Sequence, residues 1–190
     1  MDFNEQMKNI ISNLNGKKPR LLLHACCAPC SSAVLERLKG FFDITIYYYN
    51  PNIMPKNEWE LRKAQFEKLK NICNFNFICP EYDNSEFLNI AKGMENENEG
   101  GIRCKACIAH RISKTKQFAD EGKFDFFCST LSISPHKNAE YINSVGISLE
   151  NGKAKWLPND FKKENGFLRS TQLCRQLNIY RQSYCGCKFE

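Results

Sequence analysis

The sequence predicts an α/β fold, a Rossmann-like three-layer sandwich with a mainly parallel sheet of about five strands. The first observation is that short runs of apolar, β-branched and aromatic residues alternate along the chain with longer stretches of helical periodicity. The second is that turn-forming residues follow the first two runs, with APCSS after LLLHA and NPNIMP after FDITIYYY. This alternation favours parallel strands with helices on both faces of the sheet.

Length and composition fit a single domain over residues 1–190. A chain of 190 residues buries roughly 70% of the surface that its unfolded form exposes, so it needs no disulfides to replace a core. Its apolar fraction of 42% and charged fraction of 25% exclude disordered and collagen-like classes. No run approaches the roughly 18 apolar residues of a membrane span, so no membrane partner is predicted. Residues 1–19 are predicted as a helical extension and residues 180–190 as a C-terminal tail.

Each element is predicted from its own stretch of sequence. The N-terminal helix has apolar residues at helical spacing from Phe3 to Leu14 and ends near Gly16. The predicted strands cover 21–25, 42–49, 75–79, 123–129 and 154–158. The other helices are predicted in SAVLERLKG, EWELRKAQFEKLKNI, SEFLNIAKG, KACIAHRISKTKQFADEG, HKNAEYINSVG and GFLRSTQLCRQLNIY.

Two helix starts are predicted from capping residues. Ser31 or Ser32 is the expected N-cap of the helix after the first strand, because a hydroxyl oxygen can accept a bond from a free helix N–H. Asn57, with Glu60 three residues later, forms an approximate capping box for the helix after the second strand.

Cysteine-bearing or polar segments follow three of the predicted strands. These segments are HACCAPC after the first strand, YYYNPN after the second and CSTLSISPHK after the fourth. In an open parallel sheet, ligands bind outside the carboxyl ends of the strands. We therefore expect the three segments to converge on one edge and to form a metal site there.

Cysteine is unusually frequent in this chain. Its eleven cysteines are an odd number and cannot all pair with one another. The first twenty residues lack the continuous apolar core of a signal peptide. We therefore expect a cytoplasmic protein, since in the reducing cytosol clustered thiols more often bind metal or carry out redox chemistry than crosslink a fold.

Four cysteines form the predicted metal-binding set. Cys104 and Cys107 form a C-x-x-C motif at the start of a predicted helix, where the helix dipole favours thiolate. Together with the adjacent Cys26 and Cys27 they satisfy the four-thiolate requirement of a zinc ion or a [4Fe–4S] cluster. Sulfurs around zinc lie roughly 3.8 Å apart, whereas side chains of adjacent residues tend to splay. This favours the cluster, and zinc remains the alternative.

The remaining cysteines have different expected roles. Cys185 and Cys187, separated by Gly186, can close a strained, electron-exchanging disulfide in a mobile tail that an external reductant can reach. A pair of metal ligands or an unpaired tail is the alternative. Cys30 is a candidate ligand of a second metal, a catalytic acid or thiolate, or a packing residue. His24, inside the first strand, is predicted to be a hydrogen-bonded core histidine. Core roles are also predicted for Cys73, Cys79, Cys128 and Cys174.

The chain resembles the QueH family of epoxyqueuosine reductases from about residue 20 to its C-terminus. The resemblance rests on HACCAPCSS, YYYNPNI, RCKACIAHR, STLSISPHK and GFLRSTQLCRQLNIYRQSYCGC, in that order. It implies the last step of queuosine synthesis, which is reduction of the epoxide of epoxyqueuosine at the wobble position of a tRNA, without cobalamin. The electron donor stays open.

The resemblance also implies a set of site residues. It places the family's [4Fe–4S] ligands on Cys26, Cys27, Cys104 and Cys107, and its redox-active disulfide on Cys185 and Cys187. The family is associated with a further mononuclear iron beside the cluster, for which Cys30 is the candidate ligand.

The net charge of +6 is compatible with an RNA partner. Phosphate contacts are predicted for Lys17, Lys18, Arg20, Arg103, Lys137, Arg175 and Arg181. Stacking or hydrogen bonding to bases is predicted for Tyr48, Tyr49, Tyr180 and Tyr184.

Two competing interpretations are considered. The first is a zinc-stabilised RNA-binding module without catalysis, in which the four cysteines hold the fold together. The second is an ATP-dependent enzyme on the same scaffold. The sequence speaks against the second, because it has no G-x-x-x-x-G-K-[ST] or G-x-G-x-x-G pattern and carries thiols where a phosphate loop needs glycines.

Overall fold

Five parallel strands form one sheet in the computed structural model, which describes residues 2–187 and 189. The strands are β1 (Arg20–His24), β2 (Asp43–Tyr47), β3 (Asn76–Ile78), β4 (Phe126–Ser129) and β5 (Lys155–Trp156). Their order in the sheet is β3-β2-β1-β4-β5, and each neighbouring pair is parallel. The predicted α/β fold with a sheet of five strands is confirmed.

Two groups of helices pack around this sheet. The helices are α1 (Phe3–Ser12), α2 (Ala28–Leu38), α3 (Lys56–Ala64), α4 (Ser85–Ala91), α5 (Ile102–Glu121), α6 (Ala139–Ser148) and α7 (Gly166–Gln176). Two 3₁₀ helices cover Gln65–Asn71 and Thr130–Ile133. Helix α2 packs against α7, whereas α5 packs against α4 and α6. Right-handed crossovers place these two groups on opposite faces of the sheet.

The central strand β1 is buried on both faces. Leu21, Leu22 and Leu23 are consecutive, so their side chains alternate between the two faces, and each has no exposed surface. A continuous apolar strand of this kind is typical of a parallel sheet covered by helices on both sides. Complete burial of a leucine side chain contributes about 1.5–3 kcal/mol, so β1 is a rigid base for the loop that follows it.

The N-terminal helix α1 packs against the same core. Asp2 caps it, because its carboxylate accepts hydrogen bonds from the backbone N–H groups of Asn4 and Glu5. Met7 is almost fully buried among the core side chains. The Asn4 amide donates to Glu164 at 3.0 Å. The predicted extension is thus tied to the α/β core.

Helix α2 begins earlier than predicted. The predicted cap at Ser31 or Ser32 is wrong, because Cys27 is the N-cap and its sulfur accepts a hydrogen bond from the Cys30 N–H at 3.4 Å. Pro29 fits the first turn, where no intrahelical N–H bond is lost. Ser31 and Ser32 are buried and donate to the carbonyls of Cys27 and Pro29, each at 2.8 Å.

Helix α3 also begins before its predicted cap. Its N-cap is Pro55, so the capping box of Asn57 with Glu60 is wrong. Asn57 lies in the first turn and accepts from the Glu58 N–H at 2.9 Å. The predicted continuous helix changes into a 3₁₀ helix at Gln65.

The sheet order creates a crevice between β1 and β4. The chain leaves β1 towards β2 on one side, and β4 pairs with β1 on the other side. This is the topological switch point, where α/β folds bind ligands outside the carboxyl ends of the strands. The Cys26 N–H donates to Thr130 Oγ1 at 3.2 Å across this crevice. The thiols of the β1–α2 loop therefore lie at the expected place in the fold.

No helix within residues 2–187 has the length and apolar character needed to cross a bilayer.

Candidate metal and redox site

Three thiols meet directly after β1. The sulfurs of Cys26, Cys27 and Cys30 all lie within 4.8 Å of one another, and those of Cys26 and Cys27 are 3.8 Å apart. The extended backbone of Cys27 turns the chain into α2, and the first helical turn then brings Cys30 back to the same point. Thiolates are soft donors that suit zinc or iron. This cluster, the loop thiol group, can therefore hold a metal.

The spacing within the loop thiol group corrects one expectation. The sulfurs of the adjacent residues Cys26 and Cys27 do not splay, because 3.8 Å equals the roughly 3.8 Å between sulfurs around zinc. The spacing of this pair therefore does not favour a cluster over zinc.

Hydrogen bonds within the loop thiol group separate the three pKa values. Side-chain hydrogen bonding with Cys27 and Cys30 lowers the pKa of Cys26, and the charge of Lys137 lowers it further. Burial raises the pKa of Cys27. The bonds to Cys26 and Cys27 raise the pKa of Cys30. The arrangement therefore stabilises a thiolate on Cys26 first.

A second set of four cysteines lines an adjoining cavity of about 220 Å³. Cys104 and Cys107 come from the first turns of α5, and Cys185 and Cys187 come from the C-terminal tail. Burial raises the pKa of Cys107 to about 11. The C-x-x-C motif at the start of a helix is therefore placed as predicted, and it faces the cysteines of the tail.

The four predicted cluster ligands are divided between the loop thiol group and the 220 Å³ cavity. Cys30, rather than Cys104 or Cys107, completes the group of sulfurs around Cys26 and Cys27. Cys185 lines both the 220 Å³ cavity and a neighbouring cavity of about 420 Å³ that contains Cys26 and Cys30. All predicted site cysteines thus reach one edge of the sheet, and the four-ligand set of Cys26, Cys27, Cys104 and Cys107 stays a prediction.

Two cations lie between the thiol clusters. Arg111 is 2% exposed and donates to Asn50 Oδ1 at 3.2 Å and to the Cys107 carbonyl at 3.4 Å. Burial lowers the pKa of Arg111, but negative charge on the surrounding thiols, first that of Cys107, raises it by more. Lys137 lines both cavities, and its pKa is raised in the same way by Cys185 and Cys26. Both side chains therefore stay charged and offset thiolate charge.

Arg111 was not among the predicted site residues. Its sequence signal is its position in RCKACIAHR, four residues after Cys107, which places both on one side of α5. Asn50, its partner at the end of the second strand segment, donates to the Ala25 carbonyl at 2.8 Å. These two residues link the loops after β1 and β2 to α5.

The C-terminal tail is anchored by a buried arginine. Arg62 on α3 is 1% exposed and donates to Glu58 at 2.7 Å. It also donates to the carbonyl oxygens of Cys185 at 2.8 Å and Tyr184 at 3.3 Å. The Arg62 side chain thus docks the backbone of the tail onto α3 in this structure, and the mobility of the tail stays a prediction. Sequence reasoning missed Arg62, which stands in an ordinary charged helix segment.

Gly186 allows this docking. Its φ of 140° is rarely adopted by L-residues, and a Cβ there would lie 2.9 Å from Ile53 Cγ1 and 3.1 Å from Asn52 Nδ2. The Gly186 carbonyl accepts from the Met54 N–H at 3.0 Å. Cys185 and Cys187 on either side carry free thiols in this structure, so the predicted disulfide between them stays a prediction.

His24 is a core residue, as predicted. It is fully buried, with Nε2 3.0 Å from the Tyr49 carbonyl and Nδ1 2.8 Å from Ser129 Oγ. Because a carbonyl only accepts, Nε2 carries the proton and Nδ1 accepts from Ser129. Burial lowers the pKa of His24 to about 3, and the charge of Arg111 lowers it further. The neutral ring therefore joins the ends of β1, β2 and β4.

The predicted RNA-contacting residues are split by the fold. Lys137 and Arg181 line the 420 Å³ cavity with Cys26. Arg20 lies at the opposite, amino end of β1 and donates to the carbonyls of Gly122 and Lys123.

Two other residues that were predicted to contact RNA are buried. Arg103 is 8% exposed and donates to the carbonyls of Met94 and Glu95. Tyr48 is 1% exposed and donates to the Trp59 carbonyl at 3.1 Å. In this structure both side chains therefore donate hydrogen bonds to backbone carbonyls of the protein itself.

One solved structure has a similar fold. It is the U34-tRNA thiolase NcsA from Methanococcus maripaludis with its [4Fe-4S] cluster. The TM-score is 0.56 at 12% sequence identity, and the match covers 94% of this chain and 65% of that chain. The chain thus spans just under two thirds of the thiolase, and a likeness at this identity supports the fold assignment alone.

Sequence comparisons are more specific. The family model for epoxyqueuosine reductase QueH matches residues 21–190. An epoxyqueuosine reductase QueH from Streptococcus pyogenes serotype M1 is 46% identical over 90% of this chain and 70% of the relative. The protein of the same name from Staphylococcus epidermidis is 41% identical over 100% of this chain and 84% of the relative. The one from Thermotoga maritima is 32% identical over 89% of this chain and 88% of the relative. The chain therefore belongs to the QueH family of epoxyqueuosine reductases.

Proposed function

We propose that this protein reduces epoxyqueuosine in the anticodon loop of a tRNA to queuosine, without cobalamin. Family membership supports the reaction, because the relatives carry this activity in their names. The structural observation that carries the proposal is that seven cysteines gather at the carboxyl edge of the sheet, where six of them line two adjoining cavities. Such a concentration of thiols at a ligand-binding edge suits electron transfer to a bound substrate.

The reaction needs two electrons and two protons. An epoxide bridges two carbons through one oxygen, and its removal leaves a carbon–carbon double bond and releases water. Two cysteine thiols that form a disulfide supply two electrons and two protons. Oxidation of Cys185 and Cys187 therefore balances the reduction of one epoxide, and a cellular reductant must then reopen the disulfide.

The residues present fit a [4Fe–4S] cluster. Cys26, Cys27, Cys104 and Cys107 would hold it, and Cys30 would contribute to a further iron next to it. The donors are soft thiolates, and the buried cation Arg111 lies where it offsets the negative charge of such a group. A protein with a similar fold was solved with this type of cluster. Such a cluster would supply single-electron transfer, and a further iron would supply Lewis acidity.

The chain's own groups handle charge and protons. Lys137 lines both cavities and keeps its proton, so its ammonium group can donate a hydrogen bond to the departing oxygen. Cys185 lines both cavities as well, so the two electrons released when it forms a disulfide with Cys187 arise next to both groups of thiols. Arg62 and Gly186 hold its backbone in place.

The decisive experiment measures product formation. The protein is reconstituted anaerobically with iron and sulfide and then incubated with epoxyqueuosine-bearing tRNA and a chemical reductant, with no cobalamin added. Mass analysis of the nucleosides should show queuosine. Controls are protein without iron and protein loaded with zinc. Unchanged epoxyqueuosine in the iron-loaded sample would refute the proposal.

One distance between two sulfurs also supports a second candidate function, that of a zinc-stabilised module. The 3.8 Å between the sulfurs of Cys26 and Cys27 also suits zinc, which would make the protein a zinc-stabilised RNA-binding module. Colour separates the two functions. Anaerobically purified protein with a cluster is brown and absorbs broadly near ~400 nm, whereas protein with zinc bound by thiolates is colourless.

A further inference from the structure

An exposed aromatic side chain lies at the mouth of the thiol cavity. Phe167, the second residue of α7, is 38% exposed and lines the 420 Å³ cavity that contains Cys26 and Cys30. Among the described residues, the other exposed large aromatic side chains are Phe41 and Tyr180, and neither lines this cavity. The Phe167 ring is therefore accessible to a ligand that enters this cavity.

A cation is stacked on this ring. The guanidinium carbon of Arg181 lies 5.0 Å from the centroid of the Phe167 ring, which is a cation–π contact. Arg181 itself is exposed and lines the same cavity, as does Lys137. Glu99 is the one carboxylate on that wall in the described part of the chain. The rim therefore places a flat apolar surface next to the exposed cation of Arg181.

We propose that Phe167 and Arg181 bind one unpaired nucleotide next to the modified base of the RNA substrate. The base stacks on the Phe167 ring and its phosphate accepts hydrogen bonds from the Arg181 guanidinium. This inference rests on the proposed function, because that reaction requires the modified base to leave the anticodon loop and enter the cavity. Proteins that extract a base read the flanking nucleotides by stacking and by backbone contacts.

The first test compares two exposed phenylalanines. The probe is a synthetic RNA hairpin that carries the unmodified anticodon loop of a substrate tRNA. Stacking of one base changes affinity roughly 5- to 150-fold, so Phe167→Ala should weaken binding by that factor, whereas Phe167→Tyr should not. Phe41→Ala is the matched control, because Phe41 is 44% exposed in a groove beside α1. A thermal melt verifies that each variant folds.

The second test reports stacking directly. Trp59 and Trp156 are 6% and 1% exposed, so a tryptophan in Phe167→Trp is the accessible one among the described indole rings. The hairpin should quench its fluorescence, whereas a blunt duplex of the same stem should not. In Phe41→Trp neither RNA should have an effect. Arg181→Ala should lower the slope of log K against log salt by about 0.7, the value for one phosphate on a single strand.

The outcomes distinguish this inference from the proposed function. Equal hairpin affinity of the wild type and Phe167→Ala, or equal quenching by hairpin and duplex, would overturn the stacking subsite and leave the reductase activity standing. Failure of the wild type to bind the hairpin at low salt would overturn both the subsite and the RNA substrate.

Discussion

The two cysteine regions of this protein are built in opposite ways. The loop thiol group of Cys26, Cys27 and Cys30 is local, since five residues at the end of a buried strand bring three sulfurs within 4.8 Å. The tail with Cys185 and Cys187 is held by residues more than a hundred positions away, of which Arg62 is the main one. The comparison suggests a fixed part, the loop thiol group, and an anchored part, the tail, that local changes can release.

The largest effect should come from the fixed part. Cys26→Ser is expected to abolish the absorbance near ~400 nm and to reduce turnover below detection, because serine is a poor ligand for a soft metal. Iron analysis and spectroscopy after anaerobic reconstitution measure this. Cys73→Ser is the matched control, since Cys73 is half-buried at the end of a 3₁₀ helix away from both cavities. Normal iron content in Cys26→Ser would show that the loop does not hold the metal.

The second-largest effect should distinguish the role of the tail in turnover from metal binding. Cys185→Ser should retain full iron content and absorbance but lose multiple turnover. In the proposed function the two electrons come from oxidation of Cys185 and Cys187 to a disulfide, and one remaining thiol cannot form it. The measurement is nucleoside analysis beside an absorption spectrum of the same sample. Normal turnover with an intact spectrum would remove the tail from the reaction.

Loss of the anchor should affect stability and exposure together. Arg62→Gln breaks a buried ion pair, which typically costs about 3–5 kcal/mol of unfolding free energy, because Glu58 is left without its cation. Urea unfolding measures the loss. Iodoacetamide should also alkylate Cys185 faster, whereas Cys27 in the fixed part should react as in the wild type. Glu60→Gln, on the exposed side of the same helix, is the control.

Arg62→Lys sharpens the same test. Lysine keeps the charge but lacks the planar fork that reaches Glu58 and two tail carbonyls at once. An intermediate alkylation rate would therefore assign the anchoring to geometry, and a wild-type rate would assign it to charge alone.

The same contrast explains what the sequence could predict. The strand LLLH and the thiols that follow it are one continuous signal, so both the strand and the position of its cysteines at the carboxyl edge were predictable. The start of α2 was misplaced because cysteine is not a common N-cap, although Cys27 accepts the capping bond here. Local sequence patterns therefore predict the position of the loop thiol group, and the start of α2 to within a few residues.

Contacts between residues that are far apart in the chain could not be predicted from the sequence. Arg62 stands in EWELRKAQF, where most residues are charged or polar and nothing marks this arginine, and its hydrogen bonds to the tail could not be predicted from that segment alone. Arg20 was a plausible phosphate ligand by charge, but the fold places it at the other edge of the sheet. Charge and residue type do not specify which edge or which distant segment a side chain meets.

The smallest effect should come from Gly186→Ala. The new Cβ would lie 2.9 Å from Ile53 Cγ1, and its backbone must keep a φ of 140°, so the docked tail is disfavoured while Arg62 and its bonds remain available. A left-handed conformation costs an L-residue about 1–2 kcal/mol, so the undocked tail should become about 5–30 times more populated. Alkylation of Cys185 should accelerate by the same factor, with iron content unchanged. If Gly186→Ala instead reacts faster than Arg62→Gln, the bend at Gly186 rather than the arginine is the main anchor. The tail would then be held by its own backbone conformation, and the distinction between a local and a long-range thiol region would no longer hold.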